Sequence, residues 1–168
     1  GVIRNSATAS PTTDYTIINT FASSVVNGAK GITKDINGNI YWGDYQGDIY
    51  KVTTAGVRSL YKSGLGYIYA LSADNLGNIY VTGRYQNSNG LSYSQVKKIS
   101  SAGVVTMIAG TNDVGSGYPN YNTTDPFSVH MNPYALAVSL DGIKYISENL
   151  IFNQYELGVA INKITLGT

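Results

Sequence analysis

The stretch KDINGNIYWGDYQGDIYKVTTAG, Lys34 to Gly56, decides how the chain folds. A turn centred on Asn37-Gly38 is followed by a strand rich in Ile and Tyr. The strand DIYKV (Asp48–Val52) comes next, then the turn TTAG (Thr53–Gly56). Short runs of β-branched and aromatic residues between Asn, Asp and Gly punctuation read as hairpins. Asn-Gly and Asp-Gly pairs predict two-residue loops, because both central positions then need positive φ.

The pattern recurs. GITKDINGNIYWGD (Gly31–Asp44), ALSADNLGNIYVTG (Ala70–Gly83) and ALAVSLDGIKYISE (Ala135–Glu148) each read as strand, turn, strand. A third strand follows each one: DIYKV, QVKKI (Gln95–Ile99) and AINKI (Ala160–Ile164), with Lys51, Lys98 and Lys163 in matching places. TTAG and SSAG (Ser100–Gly103) lead into the fourth strands VRSLY (Val57–Tyr61) and VVTMIAG (Val104–Gly110). Four antiparallel strands with tight turns, recurring near 40 residues, describe propeller blades better than a sandwich. The expected class is all-β: a β-propeller of four-stranded antiparallel blades, three blades per chain.

The series VVTMIAGT followed by NPYALAVSLDGIKYISE (Asn132–Glu148) resembles the NHL-repeat family of β-propellers. There an Ile-Ala-Gly-like strand end leads to Asn-Pro, an apolar strand, Asp-Gly or Gly-Asn, and a Tyr-containing strand. The resemblance covers Tyr15 to Thr168 and implies a ring of six blades. It says little about activity, since propellers host many unrelated functions.

Three blades are fewer than the 4–8 that close a ring. The third repeat ends after its third strand, while TDYTIINTFAS (Thr13–Ser23) is unassigned and strand-like. Tyr15, Ile17, Ile18 and Phe21 are therefore expected in an assembly strand that completes a blade and covers its edge. The expected partner is a second copy, giving six blades per dimer, or an open strand-exchanged filament. A fragment of a longer propeller is the third option. In this division, residues 1–12 form a flexible arm and 13–168 the half-propeller. Within it 13–23 is the completing strand, 29–62 blade 1, 66–110 blade 2, 111–132 a long loop and 133–168 blade 3.

Composition narrows the partners. The 168 residues are 43% hydrophobic and only 12% charged, with a formal net charge of +1. That is enough apolar material for a core and no electrostatic footprint for nucleic acid. There is no cysteine, so neither disulfides nor thiolate chemistry enter. No apolar run approaches the ~20 residues of a membrane span. Fifteen Tyr with few charges resemble secreted or surface β-proteins, so an extracellular or cell-surface location is expected. The chain starts at Gly1 rather than Met, which suggests removal of an upstream segment.

Insertions fall on one face. Turns between first and second strands are tight, whereas Gly83–Ser94, Glu148–Gly158 and Thr111–Met131 are long and connect strands at the opposite ends. Long loops on a rigid scaffold concentrate function. They carry Tyr85, Tyr93, Tyr118, Tyr121, Phe127, Phe152 and Tyr155, candidates for stacking on a glycan or contacting a protein. Packing of the loops themselves accounts equally for these aromatics. Asn122-Thr123-Thr124 is a glycosylation sequon.

Catalytic signals are sparse. His130 is the sole histidine, too few for a multi-His zinc site, and reads as structural. Asp44 and Asp48 flank a short strand connection and read as turn-stabilising. Glu148 and Glu156 are expected as solvated loop charges. No metal or cofactor is expected, calcium on the ring axis being the one ion considered. The first expectation is thus a non-enzymatic, self-assembling structural or adhesive protein; the alternative is a propeller enzyme of lyase or hydrolase type.

Overall fold

The computed structural model describes residues 28–86, 88–112, 125–139, 141–152 and 155–165, and for 149–159 the backbone alone. Among the described residues eleven strands form three antiparallel sheets. The first contains β1 (Lys30–Lys34), β2 (Ile40–Gly43), β3 (Ile49–Val52) and β4 (Arg58–Lys62). In the second are β5 (Tyr67–Ala73), β6 (Ile79–Gln86), β7 (Ser92–Ile99) and β8 (Val105–Gly110). The third comprises β9 (Pro133–Val138), β10 (Lys144–Phe152) and β11 (Tyr155–Ile164). Each sheet is a blade, its strands ordered as in the chain. The assembly strand expected at Thr13–Ser23 lies outside the described residues.

The turns differ from the two-residue loops expected. At 35–39, 44–48, 53–57, 74–78, 100–104 and 139–143 the first residue's N–H donates to the carbonyl four residues on. A glycine three residues on donates back to the first residue's carbonyl. That glycine is left-handed, with φ between 78° at Gly77 and 88° at Gly47. A two-residue loop would force positive φ on Leu76, which a branched side chain resists. The longer loop puts the strain on glycine.

Carboxylates organise these turns. Asp35 Oδ1 accepts from the N–H groups of Asn37 and Asn39, and Oδ2 from Asn39 Nδ2 and the Tyr41 hydroxyl. Asp74 repeats the arrangement with Leu76, Asn78 and Tyr80. Asp44 Oδ1 accepts from Gln46 and Asp48 N–H at 2.9 and 3.0 Å, which is the turn role read from the sequence.

First strands face one another around the inner wall: β1 packs on β5, and β5 on β9. One hydroxyl bridges each junction. Ala73 N–H donates to Thr33 Oγ1 and Val138 N–H to Ser72 Oγ, both at 3.0 Å. Between blades 1 and 2 the core contains Tyr41, Ile49, Leu65, Ile68, Leu71, Ile79, Val81 and Ile99. A smaller core of Val96, Ala109 and Ile146 joins blades 2 and 3. Hydrophobic burial is therefore concentrated between blades, where it fixes how one sheet sits on the next.

The insertions are not loops throughout. β6 and β7 run on as a ladder to Gln86 and Ser92, and β10 and β11 to Phe152 and Tyr155. Alternating Tyr, Ile and Leu in these segments extend the hairpins rather than leave them.

Candidate functional site

β5 and β9 each carry one residue too many for their partners. Ile68 pairs with Gly83 and Ala70 with Thr82, leaving Tyr69 between; Pro133 pairs with Glu148 and Ala135 with Ser147, leaving Tyr134 between. Bulges of this kind re-aim a side chain and are common beside active sites. Here they bring two tyrosines, 65 positions apart, into a stack with ring centroids 6.0 Å apart and planes 8° apart. Tyr67 meets Tyr69 at 5.3 Å, and Tyr45, from the β2–β3 turn, meets Tyr67 at 4.5 Å.

Tyr45, Tyr67, Tyr69 and Tyr134 thus make a continuous row where β5 and β9 begin. Tyr67 and Tyr134 are exposed, and the other two half-buried. Two cations attend the row. Lys30 Nζ lies 4.8 Å from the Tyr45 ring centre, and Arg84, the cross-strand partner of Tyr67, hydrogen-bonds Tyr69. The hydrogen bond from Lys30, with one from Tyr67, holds the Tyr45 hydroxyl below its ordinary pKa. Burial raises the Tyr67 pKa, reinforced by Tyr45; burial also raises that of Tyr69, which Arg84 partly offsets. The row therefore holds one phenol with a lowered pKa beside two with raised ones.

A carboxylate lies on the strand that pairs with β9. Glu148, the cross-strand partner of the residue before Tyr134, is fully buried, contrary to the solvated charge expected. Extension of β10 turns it inward, where Oε2 accepts from Asn132 N–H at 3.0 Å and Oε1 from Asn162 Nδ2 at 2.7 Å. It lines a cavity of about 260 Å³ with Ala109, Met131, Ile146, Asn162 and Lys163. Hydrogen bonds compensate its desolvation.

Of the aromatics singled out in the sequence, Tyr85, Tyr93 and Phe127 are described with their side chains. Tyr85 lies in β6 and is buried, stacked on Tyr93 of β7 at 5.9 Å with Lys97 Nζ 3.5 Å from its ring centre. Its strand continues where a loop was expected, so its ring packs instead of facing a ligand. Burial raises its pKa, and its hydroxyl has no partner. Phe127 is exposed on a single 3-10 turn, Pro126–Ser128. Phe152 and Tyr155 are cross-strand partners at the end of the β10–β11 ladder. Tyr118, Tyr121 and Asn122 lie outside the described residues, as do Tyr15, Ile17, Ile18 and Phe21. His130 is half-buried ahead of β9. Among the described residues no group of three or more His, Asp or Glu could hold a metal ion.

Sequence reasoning missed Tyr45, Tyr67, Tyr69, Tyr134, Lys30 and Arg84. The available signal was Tyr-Ala-Leu at 69–71 and again at 134–136, the same aromatic at the same place in two first strands.

No protein-family model matches the chain, and no curated protein matches it. Solved structures do. A gluconolactonase from Xanthomonas campestris is similar with a TM-score of 0.54 at 10% identity, over 74% of this chain and 36% of that one. A protein from Thermus thermophilus named as a glucose dehydrogenase is similar with a TM-score of 0.56 at 14% identity, over 84% of this chain and 45% of that one. This chain thus spans less than half the length of either. At these identities the likeness establishes the β-propeller fold, and the resemblance to NHL repeats holds at that level. It also corrects the first functional expectation. The similar propellers are named as enzymes, which counts against the non-enzymatic structural or adhesive expectation and in favour of its alternative.

Proposed function

We propose that the chain carries the substrate-binding part of a propeller enzyme acting on a small polyhydroxylated ring, of the sugar or sugar-lactone class. The observation that carries this reading is the row Tyr45–Tyr67–Tyr69–Tyr134 at the mouth of the inner strands. Phenol faces suit the C–H faces of such a ring, while their hydroxyls and Arg84 suit its oxygens. The names of the two similar propellers, a gluconolactonase and a glucose dehydrogenase, support the substrate class.

Hydrolysis of a ring ester is the chemistry the row favours. Water adds to the lactone carbonyl carbon while the phenolate form of Tyr45, favoured by the hydrogen bond from Lys30, takes its proton. The bond from that carbon to the ring oxygen then breaks, and Tyr45 returns the proton to that oxygen, giving an open hydroxy acid. Arg84 balances the charge that develops on the carbonyl oxygen.

Titrating acid release from glucono-1,5-lactone, with unsubstituted γ-butyrolactone as control, tests this directly. Turnover of the sugar lactone above its spontaneous rate is expected. Tyr45→Phe should lower it about 100-fold, and Tyr134→Ala should chiefly raise KM. A wild-type rate equal to the background, with no saturation transfer from protein to gluconate or glucose, would end the reading.

A further inference from the structure

Each junction inside the arc buries a set of positions that the ends of the arc leave bare. On the side of blade 2 that meets blade 1, Leu71 is 4% exposed; its equivalent on blade 1, Ile32, is 70% exposed. On the opposite sides of blades 1 and 2, Ile49 and Val96 are each 0% exposed; their equivalent on blade 3, Ile161, is 67% exposed. Tyr41 and Tyr80 are buried, whereas Tyr145 at the same place in blade 3 is exposed. The outer face of blade 1 also holds exposed Leu60 and a Trp42–Tyr50 stack at 5.5 Å, with Arg58 against both rings.

We propose that these two faces dock on each other between copies of the chain, head to tail and twice, so that two chains close one ring. The occupant follows from continuity with the junctions already present. The face of blade 1 repeats the side of blade 2 that receives a neighbour, and the face of blade 3 repeats the sides that supply one. An interface between unlike faces propagates until rotation closes it, and six blades lie within the range that closes. The tyrosine row extends across the new junction. Tyr69 and Tyr134 are neighbours at one junction; the same step brings Lys30 of the partner subunit beside Tyr134. The new junction lacks one contact, because Ala137 stands where Thr33 and Ser72 offer a hydroxyl to the next blade.

Light scattering of the purified chain, across a dilution series, is the test. A particle of twice 18.0 kDa is expected. Ile32→Asp and Ile161→Asp should each weaken association at least 100-fold, since either sets a charge inside an apolar contact. Both side chains are exposed in the single chain, so neither variant should alter its thermal unfolding when dilute. An equimolar mixture of the two variants should recover dimer in part, because one junction in the mixed pair is unaltered. Ala137→Ser, restoring the bridging hydroxyl, should tighten association about five-fold. A wild-type monomer at 18.0 kDa, an open polymer, or a dimer indifferent to either Asp would each overturn the proposal.

Discussion

The first turns of blades 1 and 2 and that of blade 3 share a backbone but not a chemistry. In blades 1 and 2 an aspartate accepts four hydrogen bonds, the last from a tyrosine that is thereby buried. In blade 3 Ser139 replaces the aspartate and Ile143 the asparagine. Ser139 Oγ bonds Asp141 and the Ile143 carbonyl instead, and Tyr145 stays exposed. The same loop geometry therefore survives with a serine in the aspartate's place. What the aspartate adds is an anchor for the tyrosine that packs against the next blade. Blade 3 does without it.

The largest expected effect comes from breaking the anchored form. Asp74→Ala strands two turn N–H groups, the Asn78 amide and the buried Tyr80 hydroxyl. At about 1–3 kcal/mol for a buried group left unpaired, a loss of about 3–4 kcal/mol is expected in urea unfolding. Tyr80→Phe removes a single bond to a charged acceptor and should cost about 2 kcal/mol in the same measurement.

Acid should reproduce the first result in wild type. Burial alone would raise the pKa of Asp35 and Asp74, but hydrogen bonds from Asn39 and Tyr41, or from Asn78, Leu76 and Tyr80, together hold both below the usual value. The folded form thus binds fewer protons than the unfolded one. Their contribution is full above the ordinary carboxylate value of 3.8 and is lost as pH falls through the folded values. In base Tyr80, pushed up to about 12 by burial and Asp74, sheds stability as pH rises from about 10. Unfolding free energy measured against pH should fall at both ends, and Asp74→Ala should flatten both limbs.

Building the anchor into blade 3 sharpens the comparison from the other side. Ser139→Asp with Ile143→Asn should gain about 1 kcal/mol in thermal unfolding. No gain would mean that the preceding fold, not the side chains, places the tyrosine. The smallest effect belongs to Tyr85→Phe. Its hydroxyl is buried without a partner, so its removal should change stability by under about 0.5 kcal/mol or raise it slightly. A loss as large as that of Tyr80→Phe would show that the hydroxyl has a partner after all.

Much of the fold was legible because its signals are local. Glycines at fixed offsets, Ile-Tyr strands and the offset from Asp to Tyr sit within seven residues of one another, and so the blades could be read in order. The candidate site was not legible in that way. Tyr45, Tyr67, Tyr69 and Tyr134 come from a turn and two bulged strands, and a bulge shows only when both partners of a ladder are known. Tyr85 and Tyr93 misled for the related reason that an extended hairpin and a loop share the same residues until pairing is seen.

By itself, then, the sequence determined the hairpins, the blade period and the count of three, since each rests on contacts between neighbours in the chain. Only the tertiary structure decided which tyrosines meet, that Glu148 is buried, and that Ile32 and Ile161 lie bare. Those facts depend on one blade packing against another, across separations of 40 to 66 residues, where no local pattern carries the information.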